Sequence, residues 1–253
     1  MTIFPAHLAG GINREQLDDD ERNYPVVTED EMGETFKHYD TISTFYTLLQ
    51  TFFAERTDVS VLANMSLYYE KGEPSRWFAP DLMVCFGAAN KPRRVYRVWT
   101  ETVFPQVIFE AASEATVESD LGKKYLEYGR LGAEEYYLFD PERQYLPQPL
   151  MAFQRENGGR LLAVKIENER VFSPRLGLEI VDTGEQFRLF DNAKQEFLLT
   201  LPEAEAGLQL FETKFEQAEA ERLQAETQRL QAELENAKLQ AEIARLRELL
   251  NQK

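Results

Sequence analysis

Beyond Pro202 the chain runs on without another proline and with a single glycine, Gly207. Ala, Glu, Leu, Gln and Arg, the strong helix formers, dominate this stretch. One continuous helix from about 203 to 251 is therefore expected. The phrase RLQAE starts at Arg222 and again at Arg229, a period of seven. Leu223, Leu230 and Leu234 fit d, d and a positions, and Ala237 and Ala241 continue the pattern weakly. Leu239, Ile243, Leu246 and Leu250 restart the stripe in a shifted register. A lone solvated helix would leave that leucine stripe in water, an aggregation hazard. The segment is expected to form a short coiled coil with a register break, pairing two chains as a homodimer. Docking back on the chain's own globular part, or on another partner's helix, competes with that arrangement.

The full 253 residues exceed one typical domain without forcing two. With 43% apolar and 12% aromatic residues the chain can bury a sizeable core, which excludes a wholly disordered chain. No uninterrupted apolar run approaches the roughly 18 residues of a membrane span, and the N-terminus lacks the pattern of a secretory signal. The one cysteine, Cys85, cannot form an internal disulfide, which fits a reducing cytoplasm. Two histidines, His7 and His38, give little support to zinc chemistry or a Ser-His-Asp triad. Carboxylates and lysines are left to carry any reaction. The formal charge is −16, from 28 basic and 44 acidic residues, so the overall field repels nucleic acid and anionic membrane. A small basic or metal-neutralised cleft escapes that repulsion, because charges beyond a Debye length are screened.

Three regions follow: an acidic, irregular segment 1–32, a mixed α/β domain 33–202, and the helix 203–253. In the middle region Ile42, Phe45, Leu49, Phe52 and Phe53 recur at helical spacing over about 35–55. Strand-like runs follow at Val59–Tyr69, Leu82–Phe86 and Gln106–Ala111, then a second helix over about 117–131 and a strand Tyr136–Phe139. Leu150–Gln154 and Arg160–Ile166 flank Glu156-Asn157-Gly158-Gly159, a hairpin signal. Short strands at Leu176–Ile180 and Phe187–Phe190 complete the domain. This order predicts a mixed sheet flanked by helices.

Three ionisable groups stand in apolar settings. Asp81, after Pro80, sits at the mouth of the buried run Leu82–Phe86; taken alone, Pro-Asp is a common turn pair. Glu110 interrupts a strand whose two faces are otherwise apolar, and a buried carboxylate costs several kcal/mol unless compensated; a solvated strand end is the plainer alternative. Lys124 falls in the helical stripe of Val117, Leu121, Tyr128 and Leu131, whereas Lys123 is turned roughly 100° away. Such a lysine must find an anion or lose its charge: the anion is local, from Asp120 or Glu127, or lies across the turn at Glu110, unless the stem snorkels to water. Two carboxylates at neighbouring strand ends suit Mg²⁺, which keeps waters for a substrate phosphate. A lysine beside them can orient a water and offset charge on phosphate.

Asp81 in APDLMV, Glu110 in VIFEAAS, and the run DLGKKYLEYGRLGAEEYYLFDP resemble the Uma-type restriction endonuclease family of the PD-(D/E)xK nuclease superfamily. The resemblance runs from about Glu34 to Leu189 and is most specific at Lys124, Tyr128, Gly132, Glu135, Tyr136, Asp140 and Pro141. It implies an α/β, restriction-endonuclease-like core and a metal-dependent phosphodiesterase site. Asp81 and Glu110 would bind Mg²⁺ or Mn²⁺, with the Ala111 carbonyl and Glu34 as further ligands, and Lys124 would be the catalytic lysine. The superfamily's usual lysine lies two residues after the glutamate; here Ala112 stands there, which places the lysine's role on the next helix. The expected function is a Mg²⁺-dependent endonuclease acting on DNA in the cytoplasm. The alternative is a catalytically degenerate nuclease fold serving as a coiled-coil assembly module.

Overall fold

The computed structural model describes residues 35–156 and 159–251. Helix α1 (Phe36–Phe52) opens at Thr35, whose hydroxyl accepts from the His38 amide at 3.2 Å. It buries Ile42, Phe45, Leu48 and Leu49, each worth on the order of 1.5–3 kcal/mol of transfer free energy. Strands β1 (Val59–Ala63), β2 (Leu67–Tyr68), β3 (Trp77–Phe78), β4 (Leu82–Phe86) and β5 (Tyr96–Arg97) follow, then the short helix α2 (Val98–Glu101) and strand β6 (Val107–Ala111). The run Val59–Tyr69, expected as a single strand, is broken. Asn64 takes a left-handed φ of 47°, which an extended strand cannot hold, and the chain restarts as β2 in a separate sheet.

After β6 come α3 (Val117–Ser119), a π-helical turn (Asp120–Lys124), α4 (Tyr125–Leu131), β7 (Glu135–Phe139), β8 (Leu150–Arg155) and β9 (Leu161–Val164). A six-stranded sheet runs β1-β4-β6-β7-β8-β9, with β6 and β7 parallel and every other pair antiparallel. The β6–β7 connection carries the helical segment 117–131, as a parallel pair requires. Gly132 ends that segment: its φ of 124° lets its N–H reach the Tyr128 carbonyl at 3.1 Å and turns the chain into β7.

Alternation along the central strands builds two cores. Val107 and Phe109 of β6 with Tyr137 and Phe139 of β7 join Phe45 of α1 on one face, in edge contacts of Phe45 to Phe109 (5.7 Å) and Phe139 (4.8 Å). Ile108, Tyr136 and Leu138 face the other way, toward Tyr128 of α4. A four-stranded antiparallel sheet follows, of β10 (Arg170–Ser173), β11 (Leu178–Asp182), β12 (Phe187–Asp191) and β13 (Glu196–Phe197). It packs into the first core through Val171, Ile180 and Leu189.

Buried Glu135, at the start of β7, ties this sheet to the central one. It accepts from Ser173 Oγ, the Arg175 amide at 2.7 Å and Tyr137 Oη at 3.0 Å. Asp182 accepts a two-pronged bond from Arg143 at 2.9 and 2.6 Å. Burial alone would raise its pKa, but Arg143 and the Gly184 amide outweigh burial and hold it below 3.8. A depressed carboxyl pKa contributes stability above the unfolded value and loses it as pH falls through the folded one. Urea titrations should therefore show wild type losing stability below about pH 4 more steeply than Asp182→Asn. The gap is expected to stay near or below about 1 kcal/mol, since Arg143 is partly in water.

The chain divides into two compact units, one ending at Leu198 and one starting at Leu199. The second is α5 (Leu201–Asn251), a single helix of 51 residues. Leu223, Leu230, Leu234, Leu239 and Ile243 are all exposed on it. No helix among the described residues is long and apolar enough to cross a membrane.

Candidate active site

Register brings the first two acids together. Leu82 pairs with Phe109 where β4 runs antiparallel to β6, so the residue entering β4, Asp81, lies beside Glu110 as β6 ends. The Asp81 amide donates to Glu110 Oε2 at 3.3 Å, and the Ala111 amide donates to Asp81 Oδ2 at 2.7 Å. The sheet ladder thus ends by passing from backbone acceptors to a carboxylate. In an extended strand one residue's N–H and C=O point to the same edge, so the Ala111 carbonyl also faces the Asp81 side.

Lys124 closes the site from the helical crossover. Its Nζ stands 3.3 Å from Glu110 Oε2 and 3.1 Å from Asp120 Oδ1, with both partners' side chains 1% exposed. Of the three anions anticipated for this lysine, the local Asp120 and the distant Glu110 are engaged together. Glu127 instead pairs with Arg130, and Lys123 points away, exposed, with its Nζ 5.5 Å from the Phe78 ring.

The regular helix expected over 117–131 is interrupted. The turn at Asp120–Lys124 is π-helical, which inserts extra backbone into the stripe. Leu121, expected to face the core, is 37% exposed, while Asp120 is buried in its stead. Tyr128 resumes the inward face and donates its hydroxyl to Glu110 Oε1 at 2.7 Å. Tyr136 on β7 donates to the Asp120 carbonyl at 3.1 Å.

His38 joins from α1, its Nε2 3.4 Å from Asp81 Oδ2. Nothing in the sequence flagged it, because a histidine near a helix start carries no sign of a contact with a strand 43 positions on. Asp120 was visible only as a local ion-pair partner, and Tyr128 as a stripe member and a position of the family resemblance, without its bond to Glu110. Glu34 lies outside the described residues.

Charge in this pocket is unbalanced. Burial pushes Glu110 well above the ordinary carboxylate range; Lys124 and the Tyr128 hydroxyl oppose the rise, while Asp81 and Asp120 add to it. Burial also raises Asp120, against the pull of Lys124 and Thr116. Tyr136 is driven well above 10, first by burial and then by the same three acids. Three carboxylates thus crowd one site, and two of them, Glu110 and Asp120, pair with Lys124.

Among the described residues no three His, Cys, Asp or Glu side chains form a ready metal cage. The donors at hand are the Asp81 and Glu110 carboxylates and the Ala111 carbonyl, hard oxygens beside an excess of negative charge. That set fits Mg²⁺, which binds through one or two carboxylates and keeps several waters.

The sequence model of one family, described as Uma2: putative restriction endonuclease, matches residues 26–184, well over half of the chain. The chain belongs to the Uma2 family. The Uma2 match contains every residue of the pocket, from His38 to Tyr136, and stops short of α5. The mixed sheet with a helix on each face is the restriction-endonuclease-like architecture expected of a Uma2 chain. One similar solved structure is a putative nuclease belonging to DUF820 from Anabaena variabilis ATCC 29413. It covers 57% of this chain and 76% of that one at 12% identity and a TM-score of 0.43. No curated protein matches.

Proposed function

We propose that this chain is a divalent-metal-dependent endonuclease that hydrolyses phosphodiester bonds of DNA. The observation that carries the reading is the meeting of Asp81, Glu110 and Lys124, from three separate elements, in a pocket short of positive charge. Membership of a family described as putative restriction endonuclease supports the same reading.

In this reading Asp81 and Glu110 would hold Mg²⁺ or Mn²⁺, and the Ala111 carbonyl would add a further ligand. The bound ion supplies Lewis acidity at the scissile phosphate and a more acidic water. The chain's own residues do the rest. The Ala111 amide fixes the Asp81 carboxylate, and Tyr128 holds one oxygen of Glu110, so both acids are oriented before substrate arrives. Lys124 sits where its ammonium can orient a water and offset charge building on the phosphoryl oxygens. Its single cysteine, Cys85, is buried as a thiol, which fits work in a reducing cytoplasm.

Incubation of the full chain with several DNA forms and Mg²⁺ or Mn²⁺ tests the assignment. Cleavage is expected to disappear in Asp81→Ala and to fall further in Lys124→Met than in Lys123→Met. No cleavage of any form by wild type would reject the enzyme reading, and the reverse order of the lysines would reject the role of Lys124. Thermal melts supply a second readout: Mg²⁺ should raise the midpoint of wild type and leave that of Asp81→Ala unmoved.

Two observations favour a rival, a degenerate fold that serves assembly. Ala112 occupies the superfamily's usual lysine position, and α5 leaves its apolar stripe in water. Self-association through α5 is compatible with either reading, because a narrow Leu and Ala stripe gains little alone and is buried by pairing. Light scattering should give a dimer for the full chain and a monomer for a truncation ending at Pro202. Monomers for both would exclude the coiled-coil dimer; dimers for both would move the interface to the globular unit.

A further inference from the structure

The π-helical turn has a chemical consequence for the lysine it carries. A π turn spends an additional residue on one revolution and is found frequently at functional sites. Here the turn runs from Asp120 to Lys124, and both of its end residues are buried on the side facing β6 and β7. Leu121, between them, is turned out to water. Burying an acid and a base while exposing a leucine reverses the ordinary order of burial. The backbone of the turn is itself anchored, because Tyr136 Oη donates to the Asp120 carbonyl from the neighbouring strand at 3.1 Å. The Asp120 carboxylate stands 3.1 Å from Lys124 Nζ, and the same ammonium stands 3.3 Å from Glu110 Oε2.

We infer that Asp120 is a positioning residue. From its place in the π turn it holds the Lys124 ammonium against the Glu110 strand end, aimed at the reacting phosphate. The inference rests on the nuclease reading for its consequence in catalysis, but the hold itself is a property of the folded chain. An ammonium with three N–H donors can serve both carboxylates and keep one donor for a water or phosphate oxygen. Without Asp120 a flexible four-carbon stem is tethered by Glu110 alone. Asn at position 120 keeps the size and removes the charge, whereas Glu keeps the charge on a longer arm.

The hold can be read without any cleavage. Full-length wild type, Asp120→Asn and Asp120→Glu are acylated briefly with a small amine-reactive ester, and the Lys124 to Lys123 labelling ratio is measured by mass spectrometry. Lys123, exposed on the same turn, is the internal reference. Loss of a charge-assisted contact should raise the ratio about tenfold or more in Asp120→Asn. Asp120→Glu should return most of the way to wild type. An unchanged ratio in Asp120→Asn overturns the inference.

Where cleavage is measurable, kcat should fall about tenfold in Asp120→Asn with KM for DNA unchanged. A kcat loss without a labelling change would make Asp120 a direct participant and also overturn the inference. A labelling change in a protein that cleaves no DNA upholds the hold on Lys124 and rejects the nuclease reading instead. Should Asp120→Asn fail to fold, Tyr136→Phe tests the same device. Removing the hydroxyl that anchors the turn should raise the labelling ratio by about twofold or more, and no rise would overturn the inference.

Discussion

Replacing Lys124 by methionine will lower the unfolding free energy by about 3–5 kcal/mol at neutral pH, the usual cost of breaking a buried ion pair from one side. Methionine fills most of the space but strands Glu110 and Asp120, both 1% exposed, without their cation. The stranded acids can escape only by binding protons. Their pKa values, already raised in the wild-type fold, rise further, so the folded state takes up protons that the unfolded chain releases. Stability of such a variant increases as pH falls through the folded pKa values, and the deficit against wild type should narrow on acidification. Urea unfolding at neutral and at mildly acidic pH measures both quantities. Adding Glu110→Gln to Lys124→Met should cost less than the sum of the single changes, because the two residues touch. Lys123→Met, on the exposed side of the same turn, should stay within about 0.5 kcal/mol of wild type. A small effect of Lys124→Met at neutral pH would mean that the pocket is wetter than its burial indicates.

Phe45→Ala is expected to cost a similar amount, about 3–5 kcal/mol, by a different route. Phe45 is fully buried and makes edge contacts with Phe109 and Phe139, which in turn stack on each other at 5.6 Å. These rings, with Ile42, Leu48 and Leu49, pack α1 on the central sheet, so the cavity would open between the helix that carries His38 and the strand that carries Glu110. Denaturant titration gives the stability loss directly. If Mg²⁺ raises the melting midpoint of wild type, it should raise that of Phe45→Ala too, because the residue touches no proposed ligand. A loss below about 1 kcal/mol would show that neighbouring rings collapse into the space.

The elements most open to reading were those in which one local pattern decides the outcome. Ile42, Phe45 and Leu49 mark α1, the doubly apolar run around Glu110 marks a strand buried on both faces, and the two runs read as a hairpin are β8 and β9, which pair antiparallel. A long uninterrupted helix after Pro202 was legible for the same reason. Features set by distant neighbours were not legible. The break at Asn64 depends on β2 finding β3 and β5 in another sheet, which no property of Val59–Tyr69 announces. The π turn depends on Tyr136 holding the Asp120 carbonyl and on Glu110 drawing Lys124 inward, so a regular 3.6-residue wheel put Leu121 in the core by mistake. The meeting of Lys124 with Glu110 could still be argued, since one turn of chain joins their elements. The contact of His38 with Asp81 could not.

The bond from the Ala111 amide to the Asp81 carboxylate bears on how such a chain can change over generations. Position 81 serves the end of the sheet whether or not any phosphodiester is cut. A copy released from selection for cleavage is still screened for folding, and an acceptor of that size at 81 remains favoured. Lys124 is free of that screen only if Glu110 and Asp120 change with it. Inactive descendants should therefore keep an acid or its amide at 81 long after losing the lysine and its two partners together. In a set of related chains, joint turnover of positions 110, 120 and 124 is the more telling mark of abandoned chemistry.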